Sequence, residues 1–237
     1  MYIKTKAIIL SVIKYNDYDA IVQAYTQKTG FTAYFLKNYF NKKTKKLKKA
    51  YFQPGTLLEI LATDKQKSQL EYIKEVKIYY HYKNIHLNFN KLNIATFMRE
   101  VLIESLKNEQ EDSKLFQFIE ESFIQLDQQD FKPDFHIIFL INLTRFLGFF
   151  PDYQTQGKFF DMTNGKFSSQ MQSSKYATAE ESLIFKKYLG MIFALKKTTL
   201  KHNDRKKILD FLMKYYELHI AKFTVPKSVK ILHKLYE

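Results

Sequence analysis

The first eighty residues contain five short runs rich in β-branched and aromatic residues, separated by residues typical of turns. Gly30 suits a left-handed turn position, and the pair Pro54 and Gly55 matches the centre of a type II turn. Five short strands within this length predict a small closed barrel. An OB-fold is the most economical such barrel, with an SH3-like barrel and an open meander as alternatives. The predicted strands cover 5–14, 19–26, 31–37, 56–63 and 69–80.

The pattern of apolar residues changes to a helical period after about residue 85. Residue 112 or 113 is predicted to cap the second helix and Asn203 to cap the fifth. The predicted helices cover 90–107, 113–127, 135–150, 178–195, 204–221 and 226–236. The fold class is therefore α+β, with an amino-terminal OB-fold β-barrel followed by an all-helical domain. We place the barrel at 1–82 and the helical domain at 83–237, interrupted by an irregular loop at about 151–174.

Composition indicates a folded protein of a reducing compartment. The chain has 237 residues, 46% of them hydrophobic, and contains no Cys. Its most apolar stretch, residues 135–150, is too short for a membrane span and contains polar side chains, which favours a buried helix. The apolar run 7–13 is not followed by a cleavage pattern. We expect a mature cytoplasmic protein without a membrane partner.

Positive charge is concentrated near the amino terminus. The formal net charge is +14, and residues 1–62 carry eleven Lys against three acids, a balance of +8. Seven of these lysines fall within thirteen residues: Lys37, Lys42, Lys43, Lys45, Lys46, Lys48 and Lys49. We call this stretch, residues 37–49, the lysine segment. It is either a solvated loop in a chain whose composition favours Lys, or a loop that binds a polyphosphate backbone.

Aromatic residues beside the lysine segment favour nucleic acid, because OB-folds combine a basic groove with rings on which bases stack. Tyr34, Tyr39 and Phe40 are the candidates for stacking, with core packing as the alternative for each. Only three basic residues are Arg, the residue that most often reads base edges. The surface therefore predicts salt-sensitive binding without sequence preference.

Catalytic and metal-binding motifs are not evident. The six histidines form no H-E-x-x-H motif and no i,i+4 pair. The pair Gly165 and Lys166 resembles the end of a phosphate loop, but residues 160 and 167 are both Phe, which favours a hairpin turn. We expect neither an enzyme nor a cofactor, and no metal site.

The order of several segments resembles the RecO family of bacterial recombination mediators over essentially the whole length. The segments are "TKAIILSVIKYNDYDAIVQAYTQKTG", "QPGTLLEI", "LEYIKEVKIYY", "FHIIFLINLTRFLGFFPD", "FFDMTNGKF", "RKKILDFLMKYYELHI" and "PKSVKILHKLY". One departure is that many members carry a zinc-type cysteine cluster after the Leu-Gly-Phe-x-Pro stretch, whereas residues 151–174 contain no Cys. The resemblance therefore implies that packing replaces the metal here.

The resemblance implies a protein of the cytoplasm and nucleoid that binds single- and double-stranded DNA and anneals complementary strands. Its implied partners are RecR, possibly together with RecF, and the acidic C-terminal tail of single-stranded DNA-binding protein, which docks on the helical domain. The implied DNA contacts carry over only to the lysine segment. Two rival functions are an RNA- or ribosome-associated OB-fold module and a peptide-binding adaptor whose lysines are merely solvated.

Overall fold

A closed barrel of five strands forms the first part of the chain. The computed structural model describes residues 1–41, 49–64, 70–107, 109–171, 175, 177–193 and 200–234. The strands are β1 (Tyr2–Lys14), β2 (Ala20–Thr26), β3 (Gly30–Leu36), β4 (Leu57–Thr63) and β5 (Glu71–Tyr80). Their order around the barrel is β1-β2-β3-β5-β4, and only the β3–β5 pair is parallel. This arrangement confirms the predicted OB-fold barrel and the α+β class.

Strand β1 closes the barrel because it pairs along its length with two strands. Its first half pairs with β4, from Tyr2 opposite Thr63 to Ile8 opposite Leu57. Its second half pairs with β2, and the register shifts at Leu10. A bulge of this kind bends a strand and increases its twist, which lets one strand serve two sheets.

The two faces of the barrel strands differ in what covers them. Alternate side chains point inward and form a core cluster. The cluster comprises Ala7, Ile9, Val22, Ala24, Tyr34, Leu36, Phe52, Leu58, Ile60, Ala62 and Ile73. On the outer face, Ile8, Leu10, Tyr25 and Leu57 are also fully buried. A layer outside the barrel must therefore cover that side.

Two helices, α1 (Phe89–Leu106) and α2 (Ser113–Gln128), supply this outer layer. The Tyr25 ring stacks on Phe116 of α2, with ring centroids 6.4 Å apart. Arg99 of α1 donates through Nη1 to the carbonyl oxygen of Leu10 at 2.6 Å. A helix thus satisfies a carbonyl group at the point where the bulge interrupts the ladder. Asp112 caps α2, as predicted, by accepting from the backbone N–H groups of Lys114 and Leu115.

A buried carboxylate, that of Asp127, holds the connection between β5 and α1. It accepts hydrogen bonds from the backbone N–H groups of Lys83, Asn84 and Ile85 at 2.8–3.1 Å. Burial raises the pKa of the Asp127 carboxyl, but these donations outweigh burial and hold the pKa below its ordinary value. The backbone carbonyl of Asp127 also accepts from the buried Lys91 ammonium at 2.9 Å. The end of α2 is therefore tied to the start of α1.

Both predicted turn positions take the expected conformation. Gly30 has φ +63°, and a Cβ there would lie 2.9 Å from the backbone of Gln110 and Glu111. Gly55 has φ +92°, and Thr56 donates to the carbonyl of Gln53 at 3.0 Å, as in a type II turn. Gly30 thus also allows close approach of the segment that leads into α2.

The chain divides into two compact units, Met1–Asp130 and Phe131–Glu237. The first contains the barrel together with α1 and α2. The second contains α3 (Phe135–Phe146), β6 (Phe159–Asp161), β7 (Lys166–Ser168), α4 (Ala179–Phe193), α5 (His202–His219) and α6 (Val229–Lys234). The domain boundary near residue 82 stays a prediction from sequence. Within the described residues, no helix is both long and apolar enough to cross a membrane.

Helix α5 begins earlier than predicted, so Asn203 lies inside it and does not cap it. The N-cap residue is Lys201, and its side chain makes no capping hydrogen bond. The reason is a buried ion pair in the first turn of the helix, because Asp134 accepts from Arg205 Nε and from the backbone N–H of Leu200, each at 2.7 Å. These bonds fix the chain at Leu200 and bring the next residues into the helix. The predicted helical residues 194–195 and 235–236 lie outside the described part of the chain.

Aromatic packing stabilises the segment between α3 and α4. Strands β6 and β7 form a hairpin whose turn contains Gly165 at φ +63°, which confirms the predicted turn. The Phe160 ring of β6 lies 5.1–5.7 Å, centroid to centroid, from the rings of Phe167, Phe185, Phe211 and Tyr215. Edge-to-face contacts of this number stabilise a small hairpin.

Replacing Asp127 by Ala should lower the unfolding free energy of the amino-terminal unit by about 1.5–3 kcal/mol, because the backbone N–H groups of Lys83, Asn84 and Ile85 lose their charged acceptor. Hydrogen exchange of barrel amides in the full chain measures this change. Asp130→Ala is the control, since Asp130 is exposed and should change stability by less than about 0.5 kcal/mol.

Because the folded pKa of Asp127 is depressed, its stabilisation is present above the unfolded pKa of about 3.9 and is lost as pH falls through the folded value. The difference between wild type and Asp127→Ala should therefore shrink in acid. Equal stability of the two proteins at pH 7 would contradict the assigned role.

Candidate nucleic-acid interface

The two ends of the lysine segment lie on the barrel surface, and the middle lies outside the described residues. Lys37 follows β3 directly and Lys49 begins a 3₁₀ turn (Lys49–Phe52); both side chains are exposed. Lys42, Lys43, Lys45, Lys46 and Lys48 are not among the described residues. In the part of the chain that is described, neither Lys37 nor Lys49 forms an ion pair with a carboxylate. Both charges are therefore available to an external anion.

The side chain of Lys49, at one end, lies near two aromatic rings that follow Lys37, at the other end. The Lys49 ammonium lies 5.9 Å from the ring centroid of Tyr39 and 5.6 Å from that of Phe40. The two rings meet edge to face at 5.0 Å, and Tyr39 also packs against Phe52 of the core at 6.2 Å. Burial raises the pKa of the Tyr39 hydroxyl above its ordinary value. Tyr39 is thus partly a packing residue, and its predicted stacking on a base stays a prediction.

Tyr34 is not available for stacking. Its side chain is 1% exposed and belongs to the barrel core. Burial raises the pKa of its hydroxyl to about 12, with side-chain hydrogen bonds to Thr29 and Thr32 acting in the opposite direction. A ring enclosed in the core has no free face, so this part of the sequence prediction is wrong.

The turn between β1 and β2, residues 15–19, is fixed against the start of the lysine segment. Asp19 accepts from the backbone N–H of Asn38 at 2.7 Å, and Phe40 donates its N–H to the carbonyl of Tyr18 at 2.8 Å. The Asn38 hydrogen bond, assisted by the Asn16 side chain, holds the pKa of the Asp19 carboxyl below its ordinary value. Asn38 itself has φ +58°, a conformation that Asn tolerates. The turn and the first residues of the lysine segment therefore form one ordered surface.

Beside this turn, an apolar row crosses the outer face of four strands. Ile13 of β1 pairs with Ile21 of β2, Ile21 pairs with Phe35 of β3, and Phe35 pairs with Tyr72 of β5. Ile13 and Tyr72 are each 46% exposed, in contrast to the outer residues that α1 and α2 cover. Exposed apolar side chains in a continuous row indicate a binding surface.

Three rings in and beside this row form what we call the aromatic patch: Tyr15, Phe35 and Tyr72. The Phe35 ring meets Tyr15 at 5.6 Å and Tyr72 at 5.9 Å, both edge to face. Tyr15 is 60% exposed. The patch lies on strands β3 and β5 and on the β1–β2 turn, where OB-folds bind oligonucleotides.

Sequence reasoning missed the patch because Tyr34 and Phe35 are adjacent and both aromatic, so their identity does not show which faces inward. The position of Lys37 nevertheless indicates which of the two rings faces outward. Side chains two apart on a strand share a face, and a lysine next to the core is expected on the outside. Lys37 therefore places Phe35 outside and Tyr34 inside.

A second basic surface lies in the carboxy-terminal unit. A cavity of about 10 Å³ is lined by His136, His202, Arg205, Lys206, Leu209, Leu232 and His233. Burial, with the nearby Arg205 charge, lowers the pKa of His136 to about 3, so this ring is neutral at pH 7. Beside the cavity, Lys206 is exposed, whereas the charge of the buried Arg205 is paired with Asp134. Among the residues that the structure describes, no group of three His, Asp or Glu side chains is placed to hold a metal.

The barrel, with its patch and basic ends, places the chain in the class of OB-fold binding proteins. Two family models match it: "Recombination protein O N terminal" over residues 1–82 and "Recombination protein O C terminal" over residues 86–228. The chain belongs to the RecO family of DNA repair proteins.

Full-length relatives share this assignment. The chain is 39% identical to DNA repair protein RecO of Flavobacterium psychrophilum and 36% identical to that of Christiangramia forsetii, with 100% of each chain covered. It is 34% identical to DNA repair protein RecO of Bacteroides fragilis over 99% of each chain. The resemblance identified from sequence is thereby confirmed.

Replacing Asp19 by Ala should release the start of the lysine segment, because Asn38 loses its side-chain acceptor. Amide exchange at Asn38 and Phe40, measured by NMR, should accelerate at least about fivefold, since hydrogen-bonded amides exchange only when they open. Asp17→Ala is the matched control, since among the described residues Asp17 forms an ion pair with Lys14 at the end of β1 and with no other residue. Unchanged exchange at Asn38 in the Asp19 variant would show that the turn does not hold this segment.

Proposed function

We propose that this protein is a non-enzymatic recombination mediator that binds single-stranded DNA, anneals complementary strands and helps to load a recombinase during DNA repair. The observation that carries the proposal is the aromatic patch on the open face of the barrel, beside the exposed ends of the lysine segment. Membership of a DNA repair family makes DNA the expected strand. The proposed setting is the cytoplasm, at the nucleoid.

In this mechanism, the lysine segment and the rings of the aromatic patch contact different parts of the DNA strand. The ammonium groups of the lysine segment neutralise phosphates and release counterions, which supplies affinity without regard to sequence. Tyr15 and Tyr72 expose ring surface on which unpaired bases stack, which favours single strands over duplexes. Lysine is a compact charge that does not read base edges as bidentate arginine does. DNA strands that are bound by such contacts remain able to slide along the protein surface.

Annealing then needs no bond chemistry. Two strands repel each other through their phosphates, and a surface that neutralises both lowers this barrier. Weak contacts that do not depend on sequence let the strands slide until their bases pair. Formation of the duplex removes bases from the rings, so the product has fewer contacts with the patch than the separate strands had.

The carboxy-terminal unit is the proposed site for the acidic tail of single-stranded DNA-binding protein. Lys206, which is exposed beside the small cavity, would pair with a carboxylate of this tail. Such a site would bring the mediator to coated DNA. RecR, together with RecF, is the proposed further partner in recombinase loading.

The RNA-binding alternative shares the barrel and is tested by competition. Single-stranded DNA and RNA of equal length and sequence should compete, with DNA preferred or equal; strong RNA preference would favour an RNA-associated module.

The adaptor alternative predicts no binding to either strand at about 50 mM salt, where electrostatic contacts are strong.

Replacing all seven lysines of the lysine segment by Gln should weaken single-strand binding and flatten its salt dependence. Four phosphate contacts give a slope of about −3 in log K against log salt, at about 0.7 per contact, and the variant should lose this slope. Fluorescence anisotropy over a salt series measures both quantities. Annealing of complementary oligonucleotides should slow in parallel.

The control for this variant removes the same charge from the carboxy-terminal unit. It carries Gln at seven exposed lysines: Lys187, Lys201, Lys206, Lys222, Lys227, Lys230 and Lys234. Since net charge falls equally, an equal loss in both variants would show that overall charge, and not the lysine segment, determines binding.

Replacing Tyr72 by Ser should lower single-strand affinity by about tenfold with the salt slope unchanged, because one stacked base is worth about 1–3 kcal/mol. Replacing Tyr15 as well should lower it further. Phe89→Ser is the control, since Phe89 is 68% exposed but lies on α1. If the control loses as much affinity as the Tyr72 variant, the aromatic patch is not the stacking surface.

A further inference from the structure

A second apolar surface of the amino-terminal unit has no assigned role. Leu87, Phe89 and Leu92, at the start of α1, are 87%, 68% and 41% exposed. Most large apolar side chains of this unit are buried in the barrel or under the helices. Three exposed within six residues form a patch of the kind that marks protein–protein contact.

A groove of about 210 Å³ adjoins this patch. One wall is the type II turn with Pro54 and Gly55, and the floor includes Ile85, Ala95 and Phe123. The other wall is a face of α1 that carries Leu92, Thr96 and Arg99. Because these residues recur at i, i+4 and i+7, they follow one side of the helix.

Helix α1 therefore has two apolar faces. Ile94, Phe97, Met98, Val101 and Leu102 are buried, which accounts for the face that packs inside the unit. Leu92, Thr96 and Arg99 line the groove on another side, and the exposed Phe89 precedes them on α1. From Leu92 to Arg99 this wall extends about 10 Å, at 1.5 Å per residue, or about two helical turns.

The charge of the groove is positive. Arg99 lies in its wall, and burial lowers the pKa of this guanidinium, so its charge is poorly solvated. Its Nη1 donates to the backbone carbonyl of Leu10, which carries no charge, and the neighbouring Glu100 carboxylate acts on the guanidinium from outside the groove lining. Among the described residues that line the groove, none is acidic, and His86 stands at the rim against the Tyr82 ring at 5.8 Å. A bound carboxylate would complete the pairing of Arg99.

We propose that this groove binds an amphipathic helix of a partner protein, about two turns of which contact the protein, and whose apolar side chains are flanked by carboxylates. Apolar anchors at i, i+3 or i+4 and i+7 would insert between the turn at Pro54 and α1, the usual geometry of a helix in a groove. An acidic residue beside them would reach Arg99. This inference goes beyond the DNA-binding function and does not depend on it.

The test uses the full chain and a displayed library of 14-residue peptides. Peptides are selected on the wild-type protein and then counter-selected on the Leu92→Glu variant, which places a like charge against an acidic ligand. Phe89→Glu is the second variant, since Phe89 is highly exposed and does not support the core. Leu183→Glu is the control, because Leu183 is 69% exposed but lies in the carboxy-terminal unit.

We expect enriched peptides with helical apolar spacing and Asp or Glu, and at least tenfold weaker binding to Leu92→Glu and Phe89→Glu than to Leu183→Glu. Enrichment of basic peptides, or binding that survives both variants, would overturn the proposal. So would self-association of the wild-type chain that Leu92→Glu abolishes in sedimentation, which would identify a second copy as the occupant. A loss of single-strand DNA affinity confined to Leu92→Glu and Phe89→Glu would instead identify a nucleic-acid site.

Discussion

The amino-terminal unit depends on the requirement that β1 belong to both halves of the barrel. A strand of thirteen residues can pair with β4 first and β2 afterwards only if it bends, and the bulge at Leu10 supplies the bend. A bulge leaves polar backbone groups without ladder partners, and Arg99 of α1 satisfies the Leu10 carbonyl. The docking of α1 therefore satisfies a backbone group that barrel closure leaves without a ladder partner. This accounts for α1 and α2 clustering with the barrel in a single compact unit.

The same docking divides the outer surface of the barrel. Where α1 and α2 pack, outward side chains such as Tyr25 and Leu57 are as fully buried as the core itself. Beyond the helices, the row from Ile13 to Tyr72 remains open. An exposed apolar row is unfavourable for a free protein, because it gains nothing from burial until a ligand covers it. The proposed DNA ligand has both flat apolar rings, which would cover this row, and negative charge, which would neutralise the lysine segment.

The sequence predicted the architecture well because its signals are local. Turn glycines such as Gly30 and Gly55 need a left-handed backbone wherever they occur, and period-2 and period-3.6 patterns follow from strand and helix geometry alone. Errors arose where a distant residue decides the outcome. Asn203 is a good capping residue, but the Asp134–Arg205 ion pair fixes where α5 starts, across 71 residues of chain. Likewise, Tyr34 and Phe35 are adjacent aromatic residues, and the barrel places Tyr34 in the core and Phe35 on the outer face.

The two proposed surfaces of the amino-terminal unit lie toward opposite ends of its strands. The groove adjoins the turn at Gly55, whose N–H donates to Ile9 at 2.6 Å, whereas the exposed row begins at Ile13, four residues further along β1. At about 3.3 Å per residue, this separates them by about 13 Å along the strand. A strand stacked on the aromatic patch therefore need not cover the groove. The proposed mediator would gain from this arrangement, because competition of DNA and a protein partner for one surface would force it to release either before delivering the other.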